Sequence, residues 1–233
     1  MLLACIRHPR RLLFLALALA AGLLLWGAVS SAEAPAAASG CPPSSSAPLS
    51  APSPPTSSVQ PAAEEILVCI GPTPIIGATY SHWLSVAEKG AEPPPKGSRR
   101  PSGGELRNEV LDYLISSYWV IEEAARLKVD ISEVEVKRSF DRIRAQQFPK
   151  RREFTAFLRQ SGQTVADLLF RVKLDLLSMR IQRRVLAGHR GAREKQRALL
   201  QFVKGFKTRW KSMTYCQVPY VVADCGHTQS SPL

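Results

Sequence analysis

The sequence predicts a mainly α-helical fold: an orthogonal bundle of five or six helices behind a disordered N-terminal linker. One small two-stranded β-ribbon at most would join the ends of the domain. Three observations predict this fold class. Apolar residues recur at three- and four-residue steps over long segments, helix-capping residues stand at the starts of several segments, and β-prone runs occur only near the two ends of the folded part.

Composition divides the chain into four parts. Residues 1–32 have the composition of a signal peptide or signal anchor, and residues 33–63 are rich in proline, serine and alanine, which predicts a disordered linker. Residues 64–225 form the predicted helical domain, which is long enough to bury a core without help from a cofactor. Residues 226–233 are expected to be a flexible tail.

Three arginines before an uncharged apolar run are typical of an export signal. Here Arg7, Arg10 and Arg11 precede the 18 residues of Leu12–Val29. This run is long for a cleaved signal and short for a membrane span, so cleavage and retention as an anchor both stay open. A weaker lipoprotein interpretation rests on Cys41. All three alternatives place the rest of the chain outside the cytoplasm, either secreted or anchored to the cell membrane.

The folded part is expected to begin with a strand and a short helix. Ile66–Ile70 is β-prone and is ended by Gly71-Pro72, and Thr79–Glu88 has helical periodicity. An exposed loop is predicted over Lys89–Gly104. A second β-prone run at Tyr220–Ala223 is expected to pair with the first strand and so join the two ends of the domain.

Two helices are predicted in the middle of the chain, followed by a shorter one. A long amphipathic helix starts at Glu105, and Ser132 with Glu135 forms a capping box that starts the next. After Pro149 the pattern continues as a short helix that ends at Gly162.

The last two helices are nearly continuous. Thr164 and Asp167 open a long helix whose apolar residues surround it broadly, which indicates neighbours on two sides. A hinge at Gly188–Gly191 separates it from a final helix that runs to about Lys211.

Cysteine usage fits an oxidising compartment. Cys216 and Cys225 bracket eight residues near the C-terminus, and a disulfide between them would stabilise the fold by about 2–3 kcal/mol. Unpaired thiols are the alternative. A zinc site is not favoured, because no CxxC or paired-histidine spacing accompanies the two cysteines.

Positive charge is concentrated near the C-terminus. The full chain carries a net charge of +12, and the segment from Arg180 to Lys211 contains eleven Lys and Arg against one acid, Glu194. Because the chain is exported, anionic lipid, cell-wall polymer or acidic polypeptides are the expected partners rather than nucleic acid; a plain solvated helix face is the alternative. The residues singled out as a basic rim are Arg180, Arg183, Arg184, Lys195 and Arg197.

Signatures of catalysis are scarce. The four histidines are far apart in sequence, and no HExxH, GxSxG or phosphate-binding glycine loop occurs. The carboxylates of Glu122-Glu123 and Glu133–Glu135 are expected to form solvated ion pairs on helix surfaces. The sequence therefore predicts no catalytic residue, no metal site and no cofactor.

Aromatic residues are frequent on the predicted helices. Trp119 lies one residue, or about 100°, away from the core face that Tyr118 shares, so it is expected at a surface. Burial in the core is the ordinary expectation for most of the others. The sharper hypothesis is a groove that accepts apolar segments of unfolded chains, with these candidate residues: Trp83, Tyr113, Trp119, Phe148, Phe154 and Phe157.

Several stretches of the sequence resemble the SurA/PrsA-like bacterial foldases. "ILVCIGPTPIIGATYSHWLSVAEK" is similar to the opening strand and helix of that family. The region with "YLISSYWV", "QQFPKRREFTAFLRQSG" and "DLLFRVKLDLLS" resembles its N-terminal chaperone domain, and "YCQVPYVVADC" its ending. The resemblance covers nearly all of Ile66–Cys225.

The resemblance implies a helical chaperone domain that binds unfolded extracytoplasmic polypeptides through an apolar surface. Many members of the family carry a parvulin-type prolyl isomerase module between the last two long helices, where this chain has only the Gly188–Gly191 hinge. We therefore expect an exported, non-catalytic chaperone-like protein. A peptidyl-prolyl isomerase and a basic, envelope-binding structural protein are the alternatives.

Overall fold

The computed structural model describes Cys41 and residues 60–90 and 102–230. These residues belong to one compact unit, Ser39–Leu233. The predicted signal or anchor and most of the predicted linker lie outside the described residues. The elements that are described are, in chain order, β1 (Ile66–Ile70), β2 (Thr73–Ile76), α1 (Gly77–Gly90), α2 (Gly103–Arg126), α3 (Glu133–Gln147), α4 (Arg151–Ser161), α5 (Val165–Leu186), α6 (Ala192–Ser212), β3 (Thr214–Gln217) and β4 (His227–Gln229).

The mainly helical prediction is confirmed, but the sheet is larger than the predicted ribbon. It has four strands in the order β2-β1-β3-β4, with β1 antiparallel to β2 and to β3, and β4 parallel to β3. The partner of β1 is Thr214–Gln217, so the prediction of a strand at Tyr220–Ala223 was wrong. The expected flexible tail is also wrong in part, because His227–Gln229 pairs with β3.

The domain starts slightly before residue 64. The N–H groups of Gly77 and Ala78 donate to the carbonyls of Glu65 and Ala63, each at 2.8 Å. A Cβ atom at Gly77 would collide with the carbonyl of Ala62, so glycine allows this close approach of two backbones. The first helix begins at Gly77, two residues earlier than predicted, directly where β2 ends.

Capping side chains fix the starts of three helices. At α5 the Thr164 N–H donates to Asp167 Oδ2 at 2.7 Å and the Asp167 N–H donates to Thr164 Oγ1 at 3.1 Å, a complete capping box. At α3 Ser132 Oγ accepts from the Glu135 N–H at 3.3 Å, but the Glu135 carboxylate binds Arg180, so only half of the predicted capping box is present. A further capping box between Ser102 and Glu105 starts α2 and was not predicted.

Two apolar clusters form the core, and α2 contributes to both. The first contains β1 and β2, buried residues of α1 and the first part of α2, together with Trp210 of α6 and Cys216 of β3. The second joins the end of α2 to α3, α4 and α5. Since α2 also contacts α1, α5 and both strands of the hairpin, it is a central helix rather than a helix with one buried face.

Two disulfides close the sheet region. The predicted bond between Cys216 and Cys225 is present, and a second one joins Cys41 to Cys69 of β1. The second bond was not predicted, although Cys5 lies in the predicted signal segment and the four other cysteines are an even number. Because its sulfur is bonded to Cys69, Cys41 is not free to carry a lipid, which contradicts the lipoprotein interpretation.

Candidate functional site

A cleft of about 690 Å³ lies along one side of α6. We call it the α5–α6 cleft. Val185 near the end of α5 and His189 in the connection line one part of it, and the rest comes from α6. The α6 residues recur at three- and four-residue steps, as expected for one face of a helix, and they are Glu194, Arg197, Ala198, Gln201, Phe202, Gly205 and Arg209.

Small residues make room for the cleft. At about 100° of rotation per residue, Gly205 lies at the middle of the lining face of α6, and Ala198 lies two turns earlier. A Cβ atom at Gly205 would meet nothing within 4 Å, so open space lies above it. A glycine inside a helix lowers the stability of the helix by about 1 kcal/mol relative to alanine. Because this cost usually has a packing or functional reason, Gly205 is the residue from which the cleft could have been predicted.

The apolar floor of the cleft is connected to the core. The ring of Phe202 stacks on Phe206 with centroids 6.0 Å apart, and Phe206 meets Trp119 edge-on, also at 6.0 Å. Phe202 packs against the second core cluster, whereas Phe206 packs against the first. The floor is therefore held in position from both clusters.

A buried carboxylate fixes the C-terminal end of the cleft. Glu123 of α2 is fully buried and accepts hydrogen bonds from Arg126 Nε at 2.9 Å and Nη2 at 2.8 Å, and from Trp210 Nε1 at 2.9 Å. Arg209 Nη1 approaches both of its oxygens, at 3.2 and 3.3 Å. This corrects the expectation of a solvated ion pair at Glu123, because two of its partners come from α6.

The electrostatics of Glu123 favour its charged form. Burial alone would raise its pKa, but the hydrogen bonds from Arg126 and Trp210 and the charges of Arg126 and Arg209 lower the pKa below its ordinary value. Glu123 is therefore an ionised carboxylate at neutral pH, and it already neutralises part of the charge of Arg209.

Four of the five residues singled out as a basic rim are free to contact a partner. Arg183, Arg184, Lys195 and Arg197 are exposed, and within the described residues none of them forms an ion pair. Of these four, Arg197 lines the α5–α6 cleft.

Arg180, the fifth, has a structural partner. Its Nη2 binds both carboxylate oxygens of Glu135 at 2.7 and 2.8 Å, and its Nη1 donates to the carbonyl of Asp130. The predicted role of Arg180 in the rim is therefore corrected: it joins α5 to the start of α3.

The predicted aromatic surface is not formed as one groove. Trp119, expected at a surface, is 1% exposed, and its Nε1 donates to Thr214 Oγ1 at 2.8 Å in the core. Trp83 is also buried, 5.1 Å from the half-buried ring of Tyr113. Arg171 covers both of these rings, at 5.1 and 5.8 Å.

The three phenylalanines near Pro149 belong to the second core cluster. Phe154 is buried, with Phe148 5.5 Å away, and Phe148 lies 5.0 Å from Phe157. Phe148 and Phe157 are half-buried. The six aromatic candidates thus divide between two clusters and serve mainly to pack helices together.

Polar pairs elsewhere connect helices. His82 Nε2 lies 2.8 Å from Asp167 Oδ1, and since Asp167 also caps α5, the pair joins α1 to α5.

In the described part of the chain no group of three or more His, Cys, Asp or Glu side chains is arranged to hold a metal ion. No helix among the same residues combines the length and apolar character needed to cross a bilayer.

Comparisons with known proteins add no relatives. No family model matches the chain, and no curated protein or solved structure matches it. The resemblance to the SurA/PrsA-like foldases therefore stays a prediction.

Proposed function

We propose that this chain is an exported, non-catalytic chaperone-like protein that holds segments of unfolded polypeptides in the α5–α6 cleft. The observation that carries the proposal is the cleft itself: it is open, its floor contains Val185, Ala198 and Phe202, and its edge carries the unpaired Arg197. The cleft is open to solvent and its lining is about equally polar and apolar, so it suits a segment that stays partly in contact with water. The two disulfides are compatible with an extracytoplasmic location, whether secreted or anchored.

Binding in this cleft is weak and tolerant of sequence. Burying an apolar side chain of leucine size contributes about 1.5–3 kcal/mol, and the cleft offers room for one or two such side chains. Because the loss of translational and rotational freedom on association offsets part of this gain, the dissociation constant for a single segment is expected to be about 1 mM or weaker. Such an affinity suits a protein that delays aggregation and releases its client without an energy source.

A cleft-filling substitution tests the proposal. Gly205→Leu places a side chain in the open space of the cleft and favours the helix, so the variant is expected to fold. Gln196→Leu is the matched control, because it adds the same side chain on the opposite, exposed face of α6. We expect the wild type and Gln196→Leu to slow the aggregation of a reduced, unfolded client, and Gly205→Leu to lose most of this effect. Equal protection by all three proteins would contradict the assignment to the cleft.

A second candidate function is binding to an anionic envelope component. It is favoured by the exposed, unpaired Arg183, Arg184 and Lys195, which extend the positive surface beyond the cleft. This alternative predicts salt-sensitive sedimentation with anionic vesicles or cell-wall polymer that is lost when Arg183 and Arg184 become Glu. The same double substitution leaves client protection largely intact if the chaperone proposal is right.

The resemblance also raises prolyl isomerisation as an alternative. Only the five residues from Ala187 to Gly191 connect α5 and α6, at the point where many members of the family that the sequence resembles carry the isomerase module. This short connection supports the non-catalytic proposal. In an assay with a proline-containing peptide we expect isomerisation at the rate of buffer alone, and a rate that grows with protein concentration would contradict the proposal.

A further inference from the structure

We propose that the preferred occupant of the α5–α6 cleft is an extended apolar segment with an acidic side chain at the end nearest the α5–α6 connection. This inference rests on the proposed function and specifies its class of client. It follows from the length of the lining face of α6, from the position of its unpaired charge, and from the composition of the rest of the chain.

The length of the cleft matches a short extended segment. Fifteen residues separate Glu194 from Arg209, so the lining face extends over about 22 Å at a rise of about 1.5 Å per residue. An extended chain advances about 3.3 Å per residue, so about six or seven residues cover this distance. Alternate side chains of such a segment point toward the floor, where Ala198 and Gly205 leave space.

The charges of the cleft differ at its two ends. Arg209 lies against the buried carboxylate of Glu123 and is already paired. Arg197, twelve residues and about 18 Å away along α6, is exposed and forms no ion pair with the described residues. Glu194 also lies at this end and keeps its negative charge, because its contact is with the neutral Gly191 N–H at 3.3 Å. The exposed Arg193, Lys195 and Arg197 outnumber it, so the net charge at the end near the connection is positive.

The remaining parts of this chain offer little that complements this charge. Residues 42–59 contain no charged side chain, and the other segments outside the described residues contain two acids, Glu33 and Glu92. Residues 91–101 also carry Lys96, Arg99 and Arg100, which would be repelled by the basic α6. The complementary acidic segment is thus expected on a different polypeptide.

Three seven-residue peptides test the inference on the purified full-length protein with its disulfides intact. Each has a core of Leu, Val and Ala, capped ends, and either Glu, Gln or Lys at one terminal position. We expect the Glu peptide to bind about three-fold more tightly than the Gln peptide, as for a solvent-exposed ion pair, and the Lys peptide to bind most weakly. This difference shrinks at about 0.5 M salt because the pair is screened.

Matched charge variants identify the residue that is responsible. Arg197→Gln abolishes the preference for Glu over Gln, whereas Arg193→Gln, at an exposed position of α6 outside the cleft, preserves it. Equal binding of all three peptides to the wild type would overturn the acidic preference while leaving the proposed function standing. Absence of binding for every peptide would overturn both.

Self-association is a separate outcome, which is measured by sedimentation of the wild type and of Arg197→Gln. If sedimentation shows dimers that Arg197→Gln dissociates, the occupant is a second copy of this chain, and the client proposal for the cleft is overturned.

Discussion

Removal of the charge of Glu123 is the sharpest test of how α6 is held. Glu123→Gln keeps the size of the side chain, but it replaces one acceptor oxygen by an NH₂ group that faces the donors of Arg126 and Arg209. Breaking a buried ion pair from one side costs about 3–5 kcal/mol. The side chains of Arg126 and Arg209 are 43% and 37% exposed, so they regain water, and we expect the lower end of this range, about 3 kcal/mol.

Urea unfolding followed by circular dichroism measures this loss. With a slope near the upper end for small proteins, about 3 kcal/mol per M, the midpoint of Glu123→Gln falls by about 1 M. Asp141→Asn is the control, because the ion pair of Asp141 with Lys137 is on the surface and its loss leaves the midpoint nearly unchanged. A loss of less than about 1 kcal/mol for Glu123→Gln would refute the view that this carboxylate holds α6 to α2.

The pH dependence of stability provides an independent check. The folded-state pKa of Glu123 is lowered relative to its ordinary value of 4.5, so the unfolded chain binds its proton more readily than the folded one. The contribution of Glu123 is complete above pH 4.5 and is lost as the pH falls through the folded-state pKa. The wild type therefore loses stability in this acidic window, and Glu123→Gln shows a shallower dependence on pH there.

Three further predictions concern single residues; each is read from the urea midpoint, and the second also from client protection. Gly205→Ala raises stability by about 0.5–1 kcal/mol, because the added Cβ meets open space and alanine favours the helix; a decrease would mean that the cleft is closed. Arg180→Gln lowers stability by no more than about 1 kcal/mol, since this residue joins α5 to α3 at a partly exposed site. It leaves client protection unchanged; a loss of protection would mean that Arg180 contacts the client. Cys41→Ser lowers stability by about 3.5 kcal/mol, as expected for opening a 28-residue loop; an unchanged midpoint would mean that this loop does not constrain the unfolded chain.

Local signals in the sequence were sufficient for most helices. The capping box of Thr164 and Asp167 marks the start of α5 in the structure as predicted, and Ser132 caps α3. These signals work because a side chain three residues away satisfies a free backbone N–H within the first turn of the helix. The last helix ends at Ser212, one residue beyond the predicted end.

Strands near the C-terminus were assigned incorrectly because their partners are distant in sequence. Tyr220–Ala223 has the stronger β-forming residues, yet Thr214–Gln217 pairs with β1. Contacts with the core set the position of strand β3. Trp119 Nε1 donates to Thr214 Oγ1, and this hydroxyl donates to the carbonyl of Trp210. The polar strand His227–Gln229 has no hydrophobic pattern that would reveal it.

The candidate site was not predicted, because it too depends on contacts between residues that are distant in sequence. Predictions from helical periodicity assume one buried face, but α2 is surrounded, so Trp119 and Glu123 are both in the interior although they lie outside the predicted apolar stripe. The basic residues at the end of α5 and in α6 were recognised from composition alone, including Arg180 and Arg197. Which of them remain unpaired depended on partners such as Glu135 and Glu123, 45 and 86 residues away in the chain.

The bond between Cys41 and Cys69 also has a covalent consequence for proteolysis. A backbone cut at any one position between these two cysteines leaves both products joined through their sulfur atoms. The cut chain therefore separates into two products only after reduction, so its covalent integrity follows the redox state of its surroundings.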